Sequence, residues 1–142
     1  METRLPHRDL RVKPVLRRLR KSATVEETRL DAGEITVHVI PGSNQLTVVV
    51  AGRVTVDSSP HLRAVLLGLL RRETAPEVVI DLSALSYLDV SGIATLLEAL
   101  KGAREHWAKL RLAGMTGQAR NLAEIAQLDK IFRGWGGEVE FR

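Results

Sequence analysis

The stretch Val78-Val79-Ile80-Asp81-Leu82-Ser83-Ala84-Leu85-Ser86-Tyr87-Leu88-Asp89-Val90-Ser91-Gly92-Ile93-Ala94-Thr95-Leu96-Leu97-Glu98-Ala99-Leu100 decides the reading of this chain. Val78 to Leu82 is a β-branched and aliphatic run of strand length, which suits a central strand. A short loop is expected to lead to Leu88-Asp89, and a helix opens near Ser91-Gly92. Ile93, Leu96, Leu97 and Leu100 recur at helical spacing and fall on one face. A helix start exposes unpaired backbone N–H groups and the positive end of the helix dipole. Such a place favours a carboxylate or a phosphate, and either Asp89 or Ser91 is a suitable cap.

Working outward, the same logic assigns the rest of the chain. Glu34 to Ile40 alternates, with Ile35, Val37 and Val39 on one face and Thr36 and His38 on the other. Pro41-Gly42-Ser43-Asn44 is a turn cluster, and Leu46 to Ala51 is a continuous apolar run ending in Gly52. These two segments read as an opening hairpin, the second strand buried on both faces. Ser59-Pro60 has the composition of an N-cap followed by the first helical residue. Leu62, Val65, Leu66, Leu69 and Leu70 then form a helical stripe that stops before Pro76. Lys109 to Gly114 alternates with Leu110 and Leu112 inward, and a third helix is expected from Gly117, with Ala119, Leu122, Ala123 and Ala126 as its stripe. Glu138 to Phe141 has the pattern of a last short strand. The order β-β-α-β-α-β-α implies crossover connections and a mostly parallel sheet behind the hairpin.

Charge divides the chain in two. Met1 to Ala23 holds eight Lys and Arg against Glu2 and Asp9, a net +6. The remaining residues hold 13 basic against 15 acidic side chains, a net −2, so the basicity belongs to the extension and not to the domain. Residues 1–31 are therefore read as a basic N-terminal extension, flexible or partly helical around Val15, Leu16 and Leu19, and residues 32–142 as the domain. The extension has three readings: a solvated tail, a contact with an anionic membrane, or a phosphate contact. No specific nucleic-acid recognition is expected.

Candidate chemistry is sparse. Cysteine is absent, which removes disulfides, thiolate metal sites and cysteine nucleophiles. His7, His38, His61 and His106 do not stand at metal-ligand spacing, and no metal or cofactor is expected. Gly114-Met115-Thr116-Gly117 lacks the further glycine of a dinucleotide loop and the lysine of a P-loop, and reads as a tight turn. No serine sits in a nucleophile elbow. Asp81 and Asp89 lack an evident catalytic partner, and Asp81 is expected to bond to nearby backbone N–H groups. A non-enzymatic protein is expected. The apolar runs are too short for a membrane span, and no apolar core follows the basic N-terminus as in a secretory signal, so the expected location is cytoplasmic.

The combination Asp81-Leu82-Ser83, Leu88-Asp89-Val90-Ser91-Gly92 and the aliphatic helix after it resembles the STAS domain of bacterial anti-sigma factor antagonists. The resemblance extends over about Glu34 to Phe132 and includes Gly52, the helix from Pro60, Leu110 to Gly114, and Leu128-Asp129-Lys130-Ile131-Phe132. It implies a single α/β domain with a four- to five-stranded mixed sheet opening with a hairpin, and three or four helices. It further implies partner switching: binding an anti-sigma factor, often a serine kinase, so that a sigma subunit is freed for transcription. The implied partner surface comprises Asp89, Val90, Ser91 and Gly92, joined by Thr55, Asp57, Ser58 and Ser59 of the preceding loop. In that family the kinase commonly modifies a Ser or Thr directly after the Asp. This chain has Val90 there, which cannot accept phosphate, so Ser91 is the remaining phosphorylation candidate. Loss of phosphorylation is the preferred expectation, on the ground that a capping Ser91 has its oxygen engaged. STAS-like domains also serve as cytoplasmic subunits of phospholipid ABC transporters, which is the alternative function.

Overall fold

The computed structural model describes residues 35–72 and 75–141. The expected basic extension at residues 1–31 lies outside them.

The first two strands, β1 (Ile35–Pro41) and β2 (Gln45–Val54), form the expected antiparallel hairpin. Helix α1 (Ser59–Arg72) leads to β3 (Glu77–Leu88), and α2 (Val90–Glu105) leads to β4 (Lys109–Met115). Two short helices, α3 (Gly117–Ile125) and α4 (Leu128–Gly134), precede β5 (Glu138–Phe141). The five strands lie in sequence order, β1-β2-β3-β4-β5, and every pairing after the hairpin is parallel. This is the single mixed-sheet α/β domain expected, at the upper end of the expected counts of strands and helices.

Strand pleating sorts the side chains. Ile35, Val37, Val39, Leu46, Val48, Val50, Val78, Ile80, Leu110 and Leu112 point to one face and are buried there. They merge with Leu62, Leu66 and Leu69 of α1, Ile93, Leu96 and Leu100 of α2, Ala119 and Ala123 of α3, and Leu128 and Phe132 of α4. One core therefore lies between the sheet and its helices. Its apolar area supplies the main driving force, about 25 cal/mol per Å² removed from water. Helices α1 and α2 also pack on each other, where a Cβ on Gly102 would stand 3.1 Å from Leu67 Cδ2. Arg63 and Glu98 close the same contact with an ion pair at its solvent edge.

Four expectations need correction. First, β2 is not buried on both faces: it alternates, with Thr47 and Val49 only half-buried. Among the described residues no helix covers its second face. Secondly, Gly52 does not end β2. It has φ +103° inside the strand, between two register shifts against β3, and the strand continues to Val54. Glycine tolerates that left-handed backbone, which bends the strand without stopping it. Thirdly, β3 does not stop at Leu82. It runs to Leu88, and the expected loop at Ser83–Tyr87 is strand paired to β2 alone, because the β4 pairing ends at Asp81↔Ala113. Finally, α1 begins one residue earlier than expected, since the Ser58 carbonyl accepts from the His61 and Leu62 amides and puts Ser58 in the cap position.

Candidate partner-binding site

Beyond Asp81, β2 and β3 continue as a two-stranded ribbon, with Arg53↔Tyr87 and Val54↔Leu88 as its last pairs. The Arg53 guanidinium lies 4.6 Å from the Tyr87 ring centroid, and the Ser86 hydroxyl donates to the Gly52 carbonyl. Because the two strands are parallel, their C-terminal ends deliver two loops side by side. One is Thr55 to Ser58, entering α1, and the other is Asp89, entering α2. The C-terminal edge of a parallel sheet is the usual place for a site in such folds.

Asp89 is the N-cap of α2. Its backbone is extended (φ −112°, ψ −173°), and Oδ1 accepts from the Ser91 amide at 2.9 Å and the Gly92 amide at 3.3 Å. The Ser91 hydroxyl donates to the same carboxylate oxygen. Of the two caps the sequence allowed, Asp89 is the one used; the ground that Ser91 caps with its oxygen as acceptor is corrected, since that hydroxyl is a donor toward Asp89. Burial alone would push the Asp89 carboxyl up. The hydrogen bonds from the Ser91 hydroxyl and from the Gly92, Ser91 and Val56 amides outweigh it, and the group is held below its ordinary value. The expected anion at this helix start is therefore the chain's own carboxylate, and the dipole there is already compensated.

The Val56 amide ties the two loops together through Asp89. The Asp89 amide also donates to the Val54 carbonyl at 3.1 Å. Within the first loop, Ser58 Oγ accepts from the Thr55 amide and donates to the Arg53 carbonyl, while Thr55 Oγ1 accepts from the Asp57 amide. Ser58 and Ser59 are buried, so they shape this loop from inside. Thr55 is half-buried and Asp57 is exposed. Gly92 is buried too, and a Cβ there would come within 2.3 Å of Leu88 Cδ1 and 2.9 Å of Val54 Cγ1. That glycine lets the first turn of α2 sit against the ribbon.

Two apolar side chains of the site are exposed to solvent. Val90 is 71% exposed and Val56 is 67% exposed, one from each loop, flanking Asp89. Sequence reasoning placed Val90 here but passed over Val56, whose signal was an aliphatic residue inside an otherwise polar loop. It also missed Gln118. The side-chain amide of Gln118, at the start of α3, accepts from the Leu88 amide at 2.9 Å and donates to the Leu88 carbonyl at 2.6 Å. It stands in for the missing β4 neighbour and steadies the ribbon directly beneath Asp89. Asp81 lies elsewhere, its Oδ1 accepting from the Ser83 amide as expected of a structural carboxylate.

Residues 39–133 match the family model described as "Mlab, STAS domain". The chain belongs to the STAS domain family. Solved structures of the same fold include an anti-sigma factor antagonist from Mycobacterium paratuberculosis, 22% identical, with a TM-score of 0.65 over 72% of this chain and 86% of that one. The anti-sigma factor antagonist SpoIIAA in its unphosphorylated form is 12% identical, with a TM-score of 0.59 over 72% of this STAS chain and 86% of its own. The phosphorylated form of SpoIIAA, a Bacillus cell fate determinant, is 12% identical with a TM-score of 0.54, over 72% and 89% of the two chains. Among the described residues, no helix of this STAS domain is long and apolar enough to cross a membrane.

Proposed function

We propose that this STAS domain is a non-enzymatic, cytoplasmic regulatory protein that acts as an anti-sigma factor antagonist. Its partner is an anti-sigma factor or a serine kinase of that class. The observation that carries the reading is the exposed pair Val56 and Val90 on either side of the Asp89-capped start of α2. Exposed apolar side chains, one at a helix start and one on the neighbouring loop, suit a partner that brings a complementary apolar contact, because each leaves water on binding. Thr55, Asp57, Ser91 and the backbone at Gly92 complete the surface.

Binding at this surface is not switched by phosphate in this reading. Val90 has no acceptor, and the Ser91 hydroxyl is half-buried and spent on Asp89. A phosphoryl group on Ser91 would set a second and larger negative charge beside that carboxylate.

The description of the matched family model does not name an anti-sigma factor antagonist. For that reason a second reading is kept: an accessory subunit of a phospholipid ABC transporter, using the same surface. Affinity purification of the tagged full chain from its source cell, with partners identified by mass spectrometry, separates the two. Recovery of an anti-sigma factor or serine kinase supports the first reading. Recovery of transporter subunits in its place would replace it with the second.

A further inference from the structure

The sheet has a second face that none of the described helices covers. Its side chains form two rows across the strands: Ile40, Thr47, Val79, Arg111 and Glu138 in one, and His38, Val49, Asp81, Ala113 and Glu140 in the other. Ile40 is 42% exposed and Val49 is half-buried. The face is thus partly apolar. It is also acidic, with Glu77, Asp81, Glu138 and Glu140 against Lys109 and Arg111. The Arg111 guanidinium, hydrogen-bonded to Glu77 and ion-paired with Glu140 at 2.9 Å, has its pKa pushed above the ordinary arginine value, first by the Glu77 bond and further by Glu140 and Glu138. A concavity of about 300 Å³ opens there, with Asp81 and Glu140 on its wall and Thr47, Val79 and Ala113 beneath.

We propose that this face is the docking site of the chain's own first 34 residues. Their sequence has complementary chemistry: a net +6 over Met1 to Ala23, with Val15, Leu16 and Leu19 set among Arg17, Arg18, Arg20 and Lys21, which falls to +3 over all 34 because Glu26, Glu27, Asp31 and Glu34 outnumber Arg29. The segment joins the sheet at Ile35, the first residue of edge strand β1, so it is delivered beside the face it would cover. Reach is ample. Extended chain covers about 3.3 Å per residue, about 110 Å for the segment. Crossing from β1 to β5 takes only about 20 Å at strand spacing. Intramolecular attachment also raises the local concentration of the segment at this face. Apolar side chains then meet Ile40 and Val49, and arginines meet Asp81 and Glu140. The surface lies on the reverse of the helical layer and does not depend on the partner-binding reading.

The chain has no cysteine, so a nitroxide on Leu16→Cys in the full-length protein reports one position cleanly. The expected result is loss of most amide signal intensity at Thr47, Val79 and Ala113 by paramagnetic relaxation. Amides on the outer surfaces of α1 and α2 keep theirs. High salt, or the double variant Asp81→Asn with Glu140→Gln, should restore the lost intensity while leaving the helix amides at their original shifts. Broadening confined to the first residues of β1, or spread evenly over the surface, would overturn the proposal. Broadening of isotopically enriched, unlabelled chains mixed with spin-labelled chains would assign the face to a second copy, and would overturn it as well.

Discussion

Replacing Asp89 by Ala removes the acceptor that organises the whole junction. The carboxylate holds the Ser91 and Gly92 amides, the Ser91 hydroxyl and the Val56 amide. An Asp N-cap contributes about 1 kcal/mol and up to about 2 kcal/mol. The further two donors, each near solvent, add about 0.5–1 kcal/mol apiece after competition with water. The expected loss is therefore about 2–3 kcal/mol. In urea denaturation at neutral pH this lowers the midpoint by roughly 1–2 M with the slope unchanged. The pH dependence supplies an internal check. A carboxyl whose folded pKa is depressed contributes stability that is complete above its unfolded value of about 3.9. That contribution is lost as pH falls through the lower, folded value. Asp89→Asn keeps a capping oxygen but not the charge. It should be less stable than the native chain at neutral pH, and the gap should close on acidification below about pH 4. An Asp89→Ala loss under about 0.5 kcal/mol, or an Asn gap that persists unchanged into acid, would refute the reasoning.

Three other outcomes follow from the same geometry. Gln118→Ala leaves the Leu88 amide and carbonyl without their side-chain partner, and should cost about 1–3 kcal/mol by denaturant unfolding. Gly92→Ala forces Leu88 and Val54 apart in a packed region, and should cost about 1–3 kcal/mol by the same assay. Val90→Ser restores a hydroxyl directly after the Asp. Intact-mass analysis after incubation with ATP and a partner kinase should show one phosphate on that variant and none on the native chain. Phosphate on native Ser91 would contradict the account of that hydroxyl.

Local signals carried much of this structure. The leucine stripe after Ser59-Pro60 and the alternation of Glu34 to Ile40 are one-dimensional records of a helix face and a pleat, and the helix and strand form there, α1 opening one residue early. The position of Asp89 at the mouth of a strand–helix junction was equally readable. Non-local facts were not. Ser83 to Tyr87 reads as loop because its strand conformation rests on pairing to β2 alone, leaving Ser83, Ala84 and Ser86 exposed with no buried alternation to see. Asp89 and Ser91 are both good caps by composition, and only the extended backbone at Asp89 decides between them. Gln118 lies 30 residues from Leu88, and nothing near it in sequence announces the contact. The exposure of Val56 depends on how Ser58 folds the loop beneath it.

The central claim is that the partner meets the α2 start through Val56 and Val90. The most direct test is co-purification of the partner with Val90→Asp and Val56→Asp variants, each first shown by denaturant unfolding to stay within about 0.5 kcal/mol of the native chain, as surface substitutions ordinarily do. The account predicts that either variant loses most of the partner, and that Glu98→Gln, on the exposed side of α2, keeps it. Full partner recovery by both aspartate variants would contradict it.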